Sequence, residues 1–280
     1  MPELPEVESV RRLMQRVLVG KVIVAAEVAP DEIVLSGTPP EAVEAALVGK
    51  TVKGVGRKGK YWWIELDEKP WLFGHLGMSG WVRHLGRDTI KLHSHGKAPL
   101  DDAEGRPRFL KLLIEVEGGE QIAFTDRRRF GRLWLGDGPD SDPAISKLGF
   151  DCLTELPSAK VMREKLARRK APIKAVLLDQ GLFAGIGNWI ADEVLYQSKI
   201  APNRLANTLS KYEVTALRAA ISKVLRTSVE VDADYKLFPE SWLFHHRWGG
   251  GRGTDRIAGK EIVRETVGGR TTAWVPERQR

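Results

Sequence analysis

The pattern of apolar residues predicts an amphipathic helix close to the N-terminus. Apolar side chains recur with helical spacing, at Val7, Val10, Leu13, Met14, Val17 and Leu18. Pro5 suits a first helical turn and Gly20 suits a stop, so we predict a helix over residues 5–19.

Short apolar or alternating runs follow this helix, and glycines and charged residues separate them. The runs are KVIVAAEV, TVKGV, YWWIELD, WLFGHLGMSGWV, FLKLLIEVEGGE and QIAFTDRRRFGRLWL, with a short helical segment, PPEAVEAALVG, among them. Runs of this kind are typical of strands, so they predict a β-rich layered domain over residues 1–136. The polar stretch from His84 to Pro107 has no clear periodicity and is predicted to be a long loop.

The character of the chain changes after GDGPDSDPA, a segment rich in Gly, Pro and Asp that predicts a linker over residues 137–145. The segments SAKVMREKLARRK, PIKAVLLDQ, NWIADEVLYQSKI and SKYEVTALRAAISKVLRTSVEV then read as helices. The Ser210 hydroxyl can cap the last of them. We therefore predict a helical domain over residues 146–240 and a glycine-rich domain with a short hairpin over residues 241–280.

Charge points to a polyanionic partner. The 280 residues include 44 Lys and Arg against 37 Asp and Glu, a formal net charge of +7. Such a balance favours nucleic acid without identifying it. No apolar run approaches the roughly 20 residues that a membrane-spanning helix needs, and no signal peptide is apparent. We expect a soluble intracellular protein with no membrane association.

Cysteine and histidine give little support for a metal site. Cys152 is the only cysteine, so neither an intramolecular disulfide nor a multi-cysteine zinc site can form, and we expect it to be buried and inert. His93 and His95 form one pair and His245 and His246 another. Neither pair has carboxylates at convincing ligand spacing, so no metal is predicted.

The first residues, MPELPEVE, hold the strongest chemical signal. Removal of Met1 before a small residue would leave Pro2 with a free secondary amine, whereas a retained Met1 would block it. A terminal amine has a pKa near 8, so roughly a tenth of it is neutral at pH 7. A neutral secondary amine can attack a carbonyl-like carbon and form an iminium ion, with Glu3 as a general acid. The alternative is a simple chain end whose Glu3 stabilises the helix dipole.

The string PELPEVE resembles the N-terminus of the formamidopyrimidine-DNA glycosylase / endonuclease VIII family, base-excision repair enzymes with an N-terminal proline nucleophile. Further segments resemble the family in order along nearly the whole chain. RKGKYWWIEL resembles its lysine-bearing strand, HLGMSGWV its methionine loop, TDRRRFG its Arg-Phe wedge, GIGNWIADEVLY its helix–two-turn–helix signature and GGRTTAWVPE its C-terminal finger. The implied fold class is α+β: an N-terminal β-sandwich with flanking helices, a helix–two-turn–helix domain and a β-hairpin finger.

The resemblance also implies roles for individual residues. Pro2 is the nucleophile, Glu3 the acid, and Lys60 a phosphate or charge-balancing contact. Met78, Arg128 and Phe130 fill the gap that an everted base leaves, which suits a thioether, a guanidinium and an aromatic ring. Asn188 and Arg270 grip the phosphate backbone. Without the resemblance, Met78 and Phe130 read as core residues, the arginine run as a solvated face, and Arg57 and Lys58 as solvated positions.

The finger departs from the commonest family pattern. Bacterial members usually carry four zinc-binding cysteines there, whereas this chain has none and resembles the zincless finger of plant members. The hairpin must then be held by packing, with Trp274 and Trp248 as expected anchors. The stretch from Val231 to Arg247 looks short for the segment that covers flipped 8-oxoguanine in typical bacterial members. This puts 8-oxoguanine preference in doubt.

The resulting hypothesis is a monomeric, cofactor-free DNA glycosylase with abasic-site lyase activity. Its partner is double-stranded DNA that contains oxidised bases, formamidopyrimidines among them, or abasic sites, and its place is on DNA inside the cell. One alternative is an endonuclease VIII-like enzyme for oxidised pyrimidines. A second alternative is a non-catalytic protein that binds damaged DNA. The intact Pro2-Glu3 pair argues against the second, because a pure binder needs no reactive terminus.

Overall fold

A computed structural model describes residues 2–87, 100–249 and 255–280 of the chain. The chain forms two compact units. The first takes the described residues up to Lys147 together with Asp232–Tyr235, and the second takes the remainder. Met1, the pair His93 and His95, and the middle of the predicted loop from His84 to Pro107 lie outside the described residues.

Two helices flank the sheets of the first unit, α1 (Leu4–Leu18) and α2 (Pro40–Leu47). The predicted N-terminal helix is confirmed to within one residue at each end. Its start is fixed by a carboxylate, since the backbone N–H of Glu3 donates to Glu6 Oε2 at 3.1 Å. The apolar stripe of α1 is buried against the sheets, which explains why the helix follows the 3.6-residue period.

Two four-stranded antiparallel sheets form the body of this unit. One has the strand order β1 (Ile23–Val28), β6 (Leu110–Val116), β7 (Gln121–Asp126), β5 (Gly80–His84), and the other has the order β2 (Val52–Lys58), β3 (Tyr61–Leu66), β4 (Trp71–His75), β8 (Arg132–Gly136). A single apolar core joins both sheets to α1 and α2. The predicted β-rich layered domain is confirmed as a sandwich of two sheets.

Two short crossovers lie side by side at one end of this sandwich. Residues 76–79 lead from β4 to β5, and residues 127–131 lead from β7 to β8, so both pass from one sheet to the other. The pair His75↔Arg132 borders them in one sheet, and the pair Gly80↔Asp126 borders them in the other. Strand pairing therefore brings together two segments that are about 50 residues apart in sequence.

Helices dominate the second unit. They are α3 (Ala159–Leu166), α4 (Ile173–Leu178), α5 (Asn188–Ser198) and α6 (Lys211–Glu230), with a short parallel pair, β9 (Phe150–Asp151) and β10 (Phe183–Ala184). The predicted cap of α6 is confirmed, because Ser210 Oγ accepts the backbone N–H of Glu213. Cys152 is buried, as predicted. No helix in the described part of the chain has both the length and the apolarity to cross a membrane.

The C-terminal segment adds two small antiparallel pairs to the second unit. They are β11 (Arg256–Ile257) with β12 (Lys260–Glu261), and the hairpin of β13 (Val263–Val267) with β14 (Arg270–Trp274). Gly268 and Gly269 form the hairpin turn and both have positive φ, which a two-residue turn requires and glycine adopts freely. The predicted short hairpin is confirmed. Ala273 of β14 and Val275, directly after the strand, lie in one apolar cluster.

Candidate functional site

Pro2 and Glu3 lie buried at the N-terminal end of α1, and Glu3 is followed by a second buried carboxyl group, that of Glu6. Burial and the neighbouring Glu3 charge raise the pKa of Glu6 to about 7. The Glu6 carboxyl accepts the Glu3 backbone N–H, so it fixes the backbone of the residue that is proposed to act as the acid. Two buried carboxyl groups, those of Glu3 and Glu6, therefore lie at the N-terminal segment that the sequence indicated as chemically active.

An ion-pair network ties the turn that bears Lys60 to the same helix. The buried Arg57 side chain donates through Nε to Glu8 Oε2 at 3.0 Å and through a terminal nitrogen to Gly59 O at 3.0 Å. Glu8 lies on α1 and also pairs with Arg11 and Arg12. The expectation that Arg57 is solvated is wrong, because it is the internal tie between α1 and the β2–β3 turn.

One neutral histidine connects Lys60 with the methionine loop. Lys60 is buried and precedes Tyr61, which pairs with His75 across β3 and β4. Burial, together with the charges of Lys60 and Arg132, lowers the pKa of His75 to about 4, so the ring is neutral at pH 7. His75 Nδ1 accepts the Gly77 N–H at 3.0 Å, which leaves the proton on Nε2. His75 was not among the predicted site residues, although it opens the HLGMSG segment.

Met78 and Phe130 project from the two crossovers and are 39% and 45% exposed. The interpretation of either as a core residue is wrong. The Arg128 guanidinium carbon lies 4.8 Å from the centroid of the Phe130 ring. The structure thus brings the three predicted wedge residues together at one end of the sandwich.

The arginine run is not a uniform solvated face. Arg129 forms an ion pair with the buried Asp31 at 3.0 Å, and Lys111 binds the same carboxylate at 2.8 Å. Burial favours the neutral acid, but hydrogen bonds from Arg129 and Lys111 hold the pKa of Asp31 well below its usual range. Arg129 also adopts a φ of +59°, uncommon for a residue with a side chain. Arg129 therefore ties the crossover of residues 127–131 to Asp31, while the Arg128 guanidinium stays with Phe130.

Asn188 contacts the backbone of the strand that begins with Arg270. Asn188 is the first residue of α5, and its Nδ2 donates to Thr271 O at 3.0 Å. Thr271 follows the exposed Arg270 at the start of β14. A helix N-terminus and an amide next to the start of a strand that bears an exposed arginine are features suited to a phosphate.

A buried ionic triad holds the same hairpin. Asp192 on α5 contacts Lys174 Nζ of α4 at 2.7 Å and Arg247 at 2.7 Å, and it also accepts the Ala273 N–H of β14. Lys174 Nζ in turn donates to Thr272 Oγ1 at 2.7 Å. Lys174 and Asp192 have fully buried side chains. This triad was not predicted, because charged residues inside helices usually face solvent.

The expected tryptophan anchors are only partly supported. Trp274 is half-buried at the end of β14. Trp248 is 50% exposed, and its ring contacts the Phe244 ring and the Arg247 guanidinium, so it packs on one face only. The packing contribution comes from Ala273, Val275 and their apolar neighbours. The segment contains no cysteine, and within residues 2–87, 100–249 and 255–280 no group of three or more His, Cys, Asp or Glu could hold a metal ion.

Glu193 has a structural position. Its two oxygens accept the Phe244 N–H at 2.9 Å and the Gln197 side chain at 2.8 Å. Burial raises its pKa to about 7 against these two hydrogen bonds. This geometry supports a structural role for Glu193, which fixes the 3₁₀ turn Leu243–His245.

Comparison with known proteins covers both units. The family model of the formamidopyrimidine-DNA glycosylase N-terminal domain matches residues 1–133, and that of the formamidopyrimidine-DNA glycosylase H2TH domain matches residues 148–238. A formamidopyrimidine-DNA glycosylase of Arabidopsis thaliana is 42% identical over 281 residues, covering 100% of this chain and 71% of the relative. A formamidopyrimidine-DNA glycosylase of Pelotomaculum thermopropionicum is 34% identical, and the match covers 100% of this chain and 99% of the relative.

Solved structures agree with these relatives. The chain is similar to the Lactococcus lactis formamidopyrimidine-DNA glycosylase bound non-covalently to DNA with an abasic site, with a TM-score of 0.81, 30% identity and 99% of both chains covered. It is equally similar to that enzyme in complex with DNA containing a formamidopyrimidine, with a TM-score of 0.80 and 29% identity. The predicted α+β fold is thereby confirmed, and the chain belongs to the formamidopyrimidine-DNA glycosylase family.

Proposed function

We propose that this chain is a base-excision-repair DNA glycosylase and abasic-site lyase in which Pro2 is the nucleophile. The observation that carries the proposal is the buried Pro2-Glu3 pair at the start of α1, in the unit that also holds the buried Lys60 and the exposed wedge residues. Membership in the family supplies the reaction type. The assignment of roles to residues is our inference.

In the proposed reaction, Met1 is removed and the neutral Pro2 nitrogen attacks C1′ of the damaged nucleotide. The bond from C1′ to the base breaks, Glu3 gives a proton to the sugar ring oxygen as the ring opens, and an iminium joins Pro2 to C1′. Loss of a C2′ proton expels the 3′ phosphate by β-elimination. Loss of a C4′ proton then expels the 5′ phosphate by δ-elimination, so the strand is cut on both sides.

The remaining site residues bind and deform the DNA. Eversion of a base costs a few kcal/mol in lost pairing and stacking. Met78, Arg128 and Phe130 offset that cost by filling the stack, and Lys60, Asn188 and Arg270 contact phosphates. The three functional parts follow the domain division that we propose: a catalytic sandwich over residues 1–136, a helix–two-turn–helix domain over residues 146–240 and a zincless finger over residues 241–280. The protein acts as a monomer on DNA inside the cell.

Borohydride trapping tests the proposal. Reduction of the iminium should give a stable covalent complex between the processed protein and an oligonucleotide with an abasic site. Pro2→Gly should sharply reduce the complex, because a primary amine in a less constrained backbone replaces the proline nitrogen. A preparation that retains Met1 is the matched control and should give none. Processed protein that forms no adduct would leave a non-catalytic DNA-binding protein as the better description.

Lesion choice needs a separate panel of duplexes, each with one damaged base. We expect excision of formamidopyrimidines to exceed excision of 8-oxoguanine, because of the short stretch from Val231 to Arg247. A preference for oxidised pyrimidines over formamidopyrimidines would favour the endonuclease VIII-like alternative.

A further inference from the structure

The wedge residues belong to two separate crossovers, yet one buried carboxylate holds both. Asp126 is the last residue of β7 and is 1% exposed. Its Oδ1 accepts the Ser79 hydroxyl at 2.6 Å, from the crossover that bears Met78. The same oxygen accepts the Arg128 N–H at 3.0 Å, and Oδ2 accepts the Gly131 N–H at 2.6 Å, both from the crossover that bears Phe130.

The hydrogen bonds to Asp126 are of a strong kind. A carboxylate that accepts from hydroxyl and amide groups forms charge-assisted bonds, which are shorter and stronger than neutral ones. Among the described residues, no Lys or Arg side chain forms an ion pair with Asp126. Its buried charge is therefore balanced by the three donors of the two crossovers.

Close backbone packing removes the remaining freedom between the crossovers. Gly77 has a φ of +59°, and a Cβ at this position would lie 2.3 Å from the Phe130 carbonyl group and 2.5 Å from the Gly131 nitrogen. A Cβ at Gly131 would lie 2.7 Å from the Phe124 ring. The two segments meet backbone to backbone with no space for a side chain between them. Neither can shift without the other.

We propose that Asp126 is a positioning residue that makes the two crossovers a single rigid wedge. It keeps Met78 at a fixed separation from Arg128 and Phe130, so that all three enter the base stack together. Asp126 does not touch DNA. The inference rests on the proposed function, because it presupposes that these three residues replace an everted base.

A fixed geometry matters because Met78, Arg128 and Phe130 can replace an everted base only if all three enter the stack at the same time. A misplacement of about 1 Å at a positioned group can reduce a rate by roughly a hundredfold. If the crossovers moved independently, one side chain could enter the stack while the other stayed outside. The gap would then be only partly filled, and the everted state would be less populated.

Asp126→Asn tests this proposal. The amide keeps one acceptor oxygen but turns an NH₂ group toward a donor of one crossover, so the shared clamp is lost. Two substrates separate positioning from folding: a duplex with a paired lesion, which needs eversion, and a single-stranded oligonucleotide with an abasic site, which needs none. We expect kcat on the duplex to fall by about tenfold to a hundredfold, with KM for the duplex changed less than about threefold. Borohydride trapping on the single strand should also change less than about threefold.

Two further readouts would not follow from a merely structural defect. A 2-aminopurine next to the lesion should show reduced fluorescence gain on binding, since unstacking is less complete. The defect should also shrink when the base opposite the lesion is removed, because less pairing then has to be broken.

Asp142→Asn is a matched control. Asp142 is also buried in the first unit and accepts hydrogen bonds from Trp134 Nε1, Ala144 N and Ile145 N, but it holds neither crossover. Its replacement should affect both substrates equally. If Asp126→Asn fails to fold, Ser79→Ala tests the proposal instead, because it removes only the donor from the Met78 crossover. It should give a smaller difference between the duplex and the single strand, in the same direction.

The outcomes are distinct. A wild-type protein that forms no borohydride adduct contradicts the proposed function. A normal wild type with equal losses on both substrates in Asp126→Asn, or with no loss at all, overturns the positioning role alone.

Discussion

The buried triad of Lys174, Asp192 and Arg247 should be the main support of the finger hairpin, and Asp192→Asn is the sharpest test of it. The substitution removes one negative charge and leaves two cations in the interior. Lys174 is fully buried and Arg247 is 6% exposed, both 2.7 Å from the Asp192 carboxylate. Removal of one partner of a buried ion pair typically costs about 3–5 kcal/mol. Because Asp192→Asn leaves both Lys174 and Arg247 without a buried counter-charge, we expect a cost toward the upper end of this range.

Thermal unfolding measures the cost. For a unit of this size, about 4 kcal/mol corresponds to a decrease in Tm of roughly 15 °C. Hydrogen exchange should become faster in β14, whose Ala273 N–H donates to Asp192. Affinity for abasic-site DNA should fall as well, because Arg270 lies in the same strand.

Two controls isolate the buried triad. Lys260 and Glu277 form an exposed ion pair in the same unit, so Glu277→Gln should leave Tm and exchange unchanged. Replacement of all three triad residues by apolar residues of similar volume should recover much of the lost stability, since no charge is then left unpaired. A chelator should change none of these readouts, because a carboxylate holds the strand.

Either of two results would contradict the claim that the buried triad supports the hairpin. Asp192→Asn could lower the unfolding free energy by less than about 1 kcal/mol, which would show that the triad contributes no more than a surface pair. Alternatively, the loss of stability could occur with unchanged exchange in β14, which would show that the hairpin is held by its apolar contacts alone.

Two further predictions concern pH and salt. Because burial raises the folded-state pKa of Glu6 to about 7 from 4.5, the folded protein binds the extra proton more tightly, so this group makes stability fall as pH rises from about 4.5 to 7, by up to about 3 kcal/mol. Denaturant titrations at several pH values should show a flatter profile for Glu6→Gln, and an unchanged slope would contradict the burial argument. Arg270→Ala should weaken binding to all DNA sequences alike and reduce the slope of log K against log salt by about 0.9, measured by fluorescence anisotropy; an unchanged slope would show that Arg270 contacts no phosphate.

The sequence was most informative where chemistry and local geometry coincide. The glycines on either side of Met78 suit an exposed turn, and the structure places Gly77 at positive φ with Met78 exposed beside it. The helix Leu4–Leu18 was predicted to within one residue from the 3.6-residue period, with Pro5 marking its start and Gly20 its end. Such features depend on residues that are neighbours in sequence.

Features that depend on distant contacts were missed. Lys174 and Asp192 each look like solvent-facing helical residues, and only tertiary packing shows that they face each other and β14. Arg57 at the end of β2 is buried, and it pairs there with Glu8 of α1, which is 49 residues away in sequence. Trp248 was expected to be an anchor, but it is half exposed, whereas the smaller residues Ala273 and Val275 lie in the buried apolar cluster. Residue type alone does not determine which of several candidates reaches the core.

The identity of the reacting atom tests the central claim most directly. Tandem mass spectrometry of the borohydride-reduced complex, after digestion of protein and DNA, locates the sugar remnant on the chain. The account predicts that the remnant is on the nitrogen of Pro2, in a peptide that begins at Pro2. A remnant on a lysine such as Lys60, or a trapped chain that still begins with Met1, would contradict it.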